Sequence, residues 1–464
     1  MTLLNLLRRA VVPAALLAAP AAQAQVPAPA LPIPLAAALR RADSVAFGNR
    51  IARGTAQAQH AAALAPLRGI LPSVHAEAGY LQTTDPIGAF GTILRQRSAT
   101  PASFDPHALN FPSAARDYAG AIVAEQPLLN ADAWAGRRAA MLGAQSADAG
   151  ATWTRLGLRA DVVRAYYGVM VADAQVSALD SAARAAHAHA HTADAMVRNG
   201  LATRSDALLA SVRAGDLDAQ QSQADADARI ARRQLAALLA LDDTAIAVAG
   251  ALPSSDALRA LVAADTMPTA PAVRADLDAA SLQQQAAAAA VRRAQAEYLP
   301  RVNAFGRYDW HGALRVYDGL PSWTAGVMVS WAPFSGASEL SDVHKAQADR
   351  AVADAALAAA RAGASVDLER TRLTLVVALQ RMAIADRAAE QASEAHRIVT
   401  RKYEGGLATI AELLDAAAAD ARASVERAAS RYAVIAAAAD RRLALGADPG
   451  SLAALDHTTT SMLR

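Results

Sequence analysis

The chain contains no cysteine, which excludes disulfides and thiolate metal sites and leaves no cysteine for an N-terminal lipid anchor. Aromatic residues make up only 4% of its 464 residues, so it has little bulky material for one compact core. The net charge is only +2 and no basic stripe with interleaved aromatics occurs, so we expect no nucleic-acid partner. Most hydrophobic residues are alanine, which favours long helices that pack closely.

The N-terminus has the pattern of a secretory signal peptide over residues 1–24. Arg8 and Arg9 precede a short apolar run that closes on Ala22-Gln23-Ala24. Prolines interrupt this run, and no later stretch of about 18 residues is both apolar and uncharged. We therefore expect an exported chain whose helices do not cross a membrane.

The tetrapeptide Gly-Leu-Ala-Thr occurs at residues 200–203 and again at 406–409, a shift of 406 − 200 = 206 positions. The same shift relates Pro127 to Pro333, and Leu71-Pro72 recurs further upstream as Leu299-Pro300. Such self-similarity predicts an internal duplication. We place the first repeat at residues 26–245, a Pro-rich connector at 246–269, the second repeat at 270–446 and a C-terminal tail at 447–464.

Each repeat contains a predicted β-hairpin, with strands near residues 72–83 and 117–127 in the first and 302–310 and 323–331 in the second. In the second hairpin hydrophobic residues alternate with small or polar ones, which predicts strands with one apolar face. Strands of about ten residues can cross a bilayer when tilted, and aromatic residues at their ends are typical of membrane interfaces. The interface candidates are Tyr308, Trp310, Trp323 and Trp331. A soluble hairpin packed on a helix is the alternative.

The strands of the first repeat are harder to orient. The 206-residue shift places Ala119, Ala121 and Val123 on the apolar face, but it also places Asp117 and Glu125 where the second repeat has tryptophan. The orientation stays open. Residues 84–116, between these strands, are rich in Pro, Gly, Ser and Thr and are expected to form a long loop.

Two proline-free stretches, 128–199 and 334–404, predict helices of about 70 residues, or about 105 Å. Asn199-Gly200 and Gly405-Gly406 are expected to end them. Thr203 with Asp206, and Thr409 with Glu412, have the spacing of a capping box for the returning helices. Asp415 lies outside that box, on the same helix face as Glu412.

The duplicated Gly-Leu-Ala-Thr-x-x-acid signature, the Leu-Pro-strand-Tyr segments, Trp331-Ala-Pro-Phe-Ser-Gly336 and the secretory leader together resemble the TolC-like outer-membrane factors of tripartite efflux pumps and type I secretion. The resemblance implies a mainly α protein with a small β part. Each protomer of a homotrimer would give two hairpins to one twelve-stranded outer-membrane β-barrel, and long antiparallel helices would form a periplasmic α-barrel. It implies no enzyme activity and no cofactor, outer-membrane lipid around the barrel, and two partners: a periplasmic adaptor and an inner-membrane transporter.

The resemblance also implies a periplasmic gate at Glu412 and Asp415. Relatives carry a locking arginine where this chain has Ala408, and Arg204 beside Asp206 is a candidate to replace it. The adaptor would dock at the helix-tip turns, made by Gly200, Leu201, Thr203, Gly405, Gly406, Leu407 and Thr409.

Other functions have weaker support. His187 and His191 are one helical turn apart and are weak candidate metal ligands, because a solvated helix face is the favoured explanation. The sequence has no nucleophilic triad and no phosphate-binding glycine loop, so we expect no enzyme. A secreted coiled-coil scaffold is the main alternative from another class. Neither the cargo nor the choice between efflux and protein secretion follows from the residues.

Overall fold

The structure is a computed structural model that describes residues 32–241, 246–264, 274–315 and 318–453. The predicted signal peptide and residues 454–464 of the predicted tail lie outside the described residues. The chain is mainly helical with a small antiparallel sheet, which confirms the predicted fold class. No helix in the described part of the chain combines the length and hydrophobicity of a transmembrane span.

The same order of elements occurs in both halves: a helix, a β-hairpin, a very long helix, a short turn and a returning helix. The elements are α1 (Leu35–Val45), α2 (Phe47–Ala62), β1 (Ser73–Thr83), α3 (Pro86–Arg95), α4 (Pro106–Asn110), β2 (Ala115–Leu129), α5 (Ala131–Arg198), α6 (Arg204–Leu238), α7 (Ser255–Ala264), α8 (Ala275–Ala296), β3 (Arg301–Gly312), β4 (Leu320–Ser330), α9 (Ser338–Glu404) and α10 (Ile410–Ala444).

The two long helices have 68 and 67 residues, so each is about 100 Å long at 1.5 Å per residue. Near the sheet the helices pack side by side in the order α2, α5, α8, α9. Towards the far end the order is α6, α5, α10, α9. The chain is therefore a slab of helices whose two outer edges are formed by α2 and α6 on one side and α9 on the other.

The largest hydrophobic core lies midway along this slab, where α1, α5 and α10 meet. Tyr166 is fully buried there, and its hydroxyl oxygen lies 3.0 Å from the Ile33 carbonyl oxygen. The same hydroxyl accepts a hydrogen bond of 3.2 Å from the Ala249 backbone N–H. Arg159 forms ion pairs with both Asp43 and Asp448. These contacts attach both ends of the described chain to the centre of α5.

Two segments predicted from composition as connections contain helices. The Pro-rich segment 246–269 includes α7, whose Leu258 is buried in the core, and Val248 forms a β-bridge with Ile33. Residues 84–116, predicted as a loop, contain α3 and α4. An aspartate starts each helix of this segment: Asp85 caps α3 and Asp105 caps α4 by accepting hydrogen bonds from backbone N–H groups.

The sheet has the order β1-β2-β3-β4, and every neighbouring pair is antiparallel. Pairing of β2 with β3 joins the two hairpins, with an irregularity between Pro127 and Leu129. Trp331, predicted inside a strand, follows the end of β4 at Ser330. The outer edges of β1 and β4 have no strand partner within the described residues.

Candidate functional site

The sheet has one apolar and one polar face. Residues directly opposite in an antiparallel pair point to the same face, so the strand register assigns each side chain. Tyr80 pairs with Tyr118, Ile122 with Tyr308, and Tyr308 in turn with Trp323. The apolar face also carries Val74, Ala76, Ala78, Ala124, Val302, Ala304, Trp310, Ala325, Val327 and Val329. Many of these side chains are exposed in the protomer, for example Trp323 at 75%.

The register settles the orientation that the sequence left open for the first repeat. Ala119, Ala121 and Val123 lie on the polar face, because Ala121 is opposite both Glu77 and Asp309. The apolar assignment suggested by the 206-residue shift is therefore wrong for this strand. A change of one residue in register moves every side chain of a strand to the other face. The 206-residue correspondence between the repeats is off by one residue in β2, so it gave the wrong face.

Aromatic side chains cluster on the apolar face near the end that is remote from the long helices. The rings of Tyr80 and Tyr118 lie 4.9 Å apart, and those of Tyr308 and Trp310 lie 5.0 Å apart. Trp331 marks the opposite end, where its Nε1–H donates to the Tyr298 carbonyl oxygen at 3.0 Å. Exposed Phe334 lies three residues further on, and sequence reasoning missed it because it lies outside the alternating strand pattern.

The polar face carries a network of charged groups. The Arg307 guanidinium donates to Asp309 at 2.6 Å and to Glu77 at 3.1 Å. Further towards the aromatic end, His311 Nδ1 lies 2.8 Å from Asp117 Oδ2. Such a face suits contact with water rather than with lipid.

At the other end of the molecule each long helix ends in a glycine turn. Gly200 and Gly406 have φ values of +72° and +73°, which glycine adopts without steric cost. The Leu201 N–H bonds to the Met196 carbonyl at 2.8 Å, and the Leu407 N–H bonds to that of Lys402 at 2.7 Å. These are Schellman caps, and they leave Leu201 and Leu407 77% and 82% exposed.

Both returning helices begin with the predicted capping box. The Thr203 backbone N–H donates to Asp206 at 3.0 Å, and the Thr409 N–H donates to Glu412 at 2.8 Å. These hydrogen bonds, first from the Thr203 backbone and then from its hydroxyl, lower the pKa of Asp206. Asp415 is exposed and takes no part in the cap. Of the two predicted gate acids, Glu412 therefore has a structural role in the cap, whereas Asp415 forms no hydrogen bond or ion pair with any described residue.

A small hydrophobic cluster joins the two tips. It consists of Tyr403, Ile410, Leu413 and Leu414 from the second repeat and Ala193, Ala207 and Ala210 from the first. Burial raises the pKa of the Tyr403 hydroxyl, and the nearby charge of Asp206 raises it further. Tyr403 was missed as a site residue, although it follows Met382, Ala389 and His396 at heptad spacing along α9.

The remaining candidates are not brought together. Arg204 is exposed at the start of α6, and it forms no ion pair with any described residue. His187 pairs instead with Asp218 of α6, with 3.0 Å between its Nε2 and the carboxylate. Among the described residues no three His, Cys, Asp or Glu side chains are grouped so that they could hold a metal ion.

His189, between the two metal candidates, faces His396 of α9 with ring centroids 5.8 Å apart. His396 Nδ1 lies 3.1 Å from Asp420 Oδ2, whereas the Nε2 atoms of both rings are buried without a hydrogen bond. Burial, followed by repulsion from His396, lowers the pKa of His189, and Glu404 opposes these effects. A polar layer therefore lies between the two helical hairpins, above the tip cluster.

This layer predicts acid sensitivity of the tips. The packed state favours neutral His189, so a separated state binds more protons and packing weakens as the pH falls below the usual histidine pKa of about 6.5. We expect faster hydrogen exchange in residues 186–196 at about pH 5.5 than at about pH 7.5, after correction for intrinsic exchange rates. His189→Gln should reduce the difference and His187→Gln should not. Equal pH dependence in both variants would contradict this role.

Comparison with known proteins supports the resemblance seen in the sequence. Residues 267–447 match the family model described as outer membrane efflux protein. No curated protein sequence matches the chain. The matched range includes the predicted second repeat and both predicted gate acids, Glu412 and Asp415.

Several solved structures share the fold. A membrane protein from Pseudomonas aeruginosa has a TM-score of 0.75 at 19% identity, covering 89% of this chain and 90% of that one. The CmeC outer membrane channel of Campylobacter jejuni has a TM-score of 0.74 at 14% identity, covering 93% and 90%. The outer membrane protein VceC of Vibrio cholerae has a TM-score of 0.71 at 17% identity, covering 89% and 96%. Together with the family match, these confirm the likeness to outer-membrane efflux channels.

Proposed function

Because the chain resembles outer membrane efflux proteins in both sequence and fold, we propose that it is the outer-membrane exit duct of an export system. The observation that carries the proposal is the two-faced sheet at one end of two helices about 100 Å long. An apolar face with a cluster of aromatic rings suits lipid, and a charged face suits an aqueous lumen. The helices then extend into the periplasm as the wall of the duct.

The proposal requires several copies of the chain. Within the described residues, the outer edges of β1 and β4 have no strand partner in one protomer, and open sheet edges are not tolerated in lipid. Membrane barrels begin at about eight strands, so pairing β4 of one copy with β1 of the next must involve at least two copies. A homotrimer with a twelve-stranded barrel is the arrangement that the resemblance favours.

The helical slab supports the same assembly. Exposed apolar side chains lie along both outer edges: Phe47 and Ile51 on α2, Val212 and Ile230 on α6, and Val352, Val366 and Ile384 on α9. Contact between the α9 edge of one copy and the α2 and α6 edge of the next would bury them. The helices of the three copies would then form a hollow α-barrel continuous with the β-barrel, as the family resemblance implies.

The tips are the proposed gate and docking end. Glu412 and Asp415 from three copies would converge on the threefold axis and form a negative constriction that favours cations. Packing of Tyr403 against Ala193, Ala207 and Ala210 holds the two hairpins of each copy together. The exposed Leu201 and Leu407 would contact a periplasmic adaptor, and an inner-membrane transporter would supply the energy. The cargo and the choice between efflux and type I secretion depend on those partners.

A coiled-coil scaffold without channel activity would have the same helices, but it leaves the apolar face of the sheet unexplained. Cell fractionation separates the two possibilities. We expect the protein in the outer-membrane fraction, and in detergent it should have the mass of three chains by native mass spectrometry. Recovery as a monomer in the soluble periplasmic fraction would contradict the proposed function and favour the scaffold.

A further inference from the structure

We infer that the β1–β2 connection is a lid over the outer mouth of the duct, held in place across the sheet by Gln96 and Arg97. The inference rests on the proposed function, because it takes the polar face of the sheet as the lumen wall. The connection lies at the end of the sheet remote from the long helices, which is the outer end of the duct in that arrangement.

The connection is folded rather than extended. Asp85 caps α3 by accepting from the Gly88 N–H at 2.6 Å, and the Thr83 hydroxyl accepts from the Asp85 N–H at 3.0 Å. Phe90 of α3 packs against Phe104, with ring centroids 5.5 Å apart. An unstructured loop of this length would be expected to leave the mouth open, whereas this one has a small core of its own.

Two side chains then tie the connection to the sheet. Gln96 Nε2 donates to the Arg116 carbonyl oxygen at 2.6 Å and lies 3.2 Å from Asp117 Oδ1, both on β2. Arg97 Nη2 donates to the Pro321 carbonyl oxygen of β4 at 3.2 Å. The segment that leaves β1 therefore reaches the far edge of the sheet and crosses all four strands.

The crossing is on the polar face. Asp117 points to that face, its side chain is only 5% exposed, and it is held by both Gln96 and His311. Within α3, Ala89 and Thr92 are buried. Ile87 and Leu94 lie on the opposite side of the helix and are exposed, Ile87 by 85%. In the proposed barrel, α3 packed in this way would lie inside the lumen, and Ile87 and Leu94 would point toward the barrel axis.

The backbone at Arg97 forms a specific turn at the end of α3. Its φ of +52° lies in the left-handed region, which a residue other than glycine adopts at a cost. The Ser98 N–H bonds back to the Ile93 carbonyl oxygen at 3.0 Å, which ends α3 at the point where the side chain of Arg97 reaches β4. The same turn therefore ends α3 and positions the Arg97 side chain that ties the connection to β4.

Polymer exclusion from channels in planar lipid bilayers tests the lid. Polyethylene glycols of graded size are added only to the side of the hairpin connections, and the largest polymer that lowers conductance is recorded. Gln96→Ala combined with Arg97→Gly removes both ties and keeps a residue suited to positive φ. We expect the cut-off molecular mass to rise about twofold or more. Replacing residues 86–112 with a short Gly-Ser turn should raise it at least as much.

Arg95→Ala is the matched control, because Arg95 is exposed on α3 and forms no hydrogen bond with any described residue. Its cut-off should equal that of the wild type. Polymers added to the opposite side should give the same cut-off for every variant. If the wild type, the double variant and the Gly-Ser variant all conduct and have the same polymer cut-off, the lid is overturned but the proposed function is not. A wild-type chain that does not conduct would overturn the proposed function and the lid with it.

Discussion

Neutralising Glu412 and Asp415 together is expected to reduce the preference of the open channel for cations over anions by about fivefold or more. In the proposed trimer these acids would place up to six negative charges around one constriction, where the low dielectric of the wall strengthens their field. Glu412→Gln and Asp415→Asn keep the size of each side chain. Glutamine at the third position of the helix also preserves the cap with Thr409, so the tip should remain folded. Reversal potentials in a salt gradient across a planar bilayer measure the change.

The two acids should not contribute equally. Glu412 is committed to the cap, whereas Asp415 is free of it, so Asp415→Asn alone is expected to give the larger loss of selectivity. Asp216→Asn is the control, an exposed acid about three turns along α6 from its tip. If the double variant keeps the selectivity of the wild type, the gate lies elsewhere. The contact of Tyr403 with the first-repeat tip would then be the next place to test.

Tyr166→Ala is expected to lower the free energy of unfolding by about 3–5 kcal/mol, among the largest effects of any single substitution in this chain. The side chain is fully buried where α1, α5 and α10 meet, and its removal leaves a cavity there. It also removes the hydroxyl contacts that attach residues 33 and 249 to the centre of α5. Urea unfolding followed by the helical circular dichroism signal measures the loss.

Tyr166→Phe separates packing from hydrogen bonding. It retains the ring, and the Ala249 N–H keeps its 3.3 Å hydrogen bond to the Ile33 carbonyl oxygen, so we expect a smaller cost of about 0.5–1.5 kcal/mol from the lost hydroxyl hydrogen bonds. Arg155→Ala is the control, because Arg155 is exposed and lies about three turns before Tyr166 in α5. It should change the free energy of unfolding by only about 0.5 kcal/mol. A Tyr166→Ala protein as stable as the Arg155→Ala protein would show that the largest hydrophobic core does not hold the slab of helices together.

The sequence predicted the helices well because their signals are local. Long proline-free stretches, Gly200 and Gly406 at the ends and the two Thr-x-x-acid boxes depend on neighbouring residues, and the structure has α5, α9 and both caps at those places. The alternation in residues 302–310 similarly identified the apolar face of β3, because a strand displays its two faces within its own sequence.

Features that depend on contacts between distant segments were not predictable. The register of β2 against β3 decides which face holds Ala121, and no residue within β2 specifies it. Tyr403 meets the first-repeat tip, and His189 meets His396, across about 200 residues of sequence. The attachment of Gln96 to β2 and Arg97 to β4 is of the same kind. Composition marked residues 84–116 as a loop, although Asp85 and Asp105 begin helices within it.

Single-channel recording from the purified wild-type protein tests the central claim most directly. Incorporated into a planar bilayer, the chain should produce discrete current steps with a preference for cations. The protein that produces them should have the mass of three chains. Current steps from an assembly of that mass would support a duct built from three two-faced sheets. A protein that binds bilayers but never conducts, or that remains a monomer, would contradict the account.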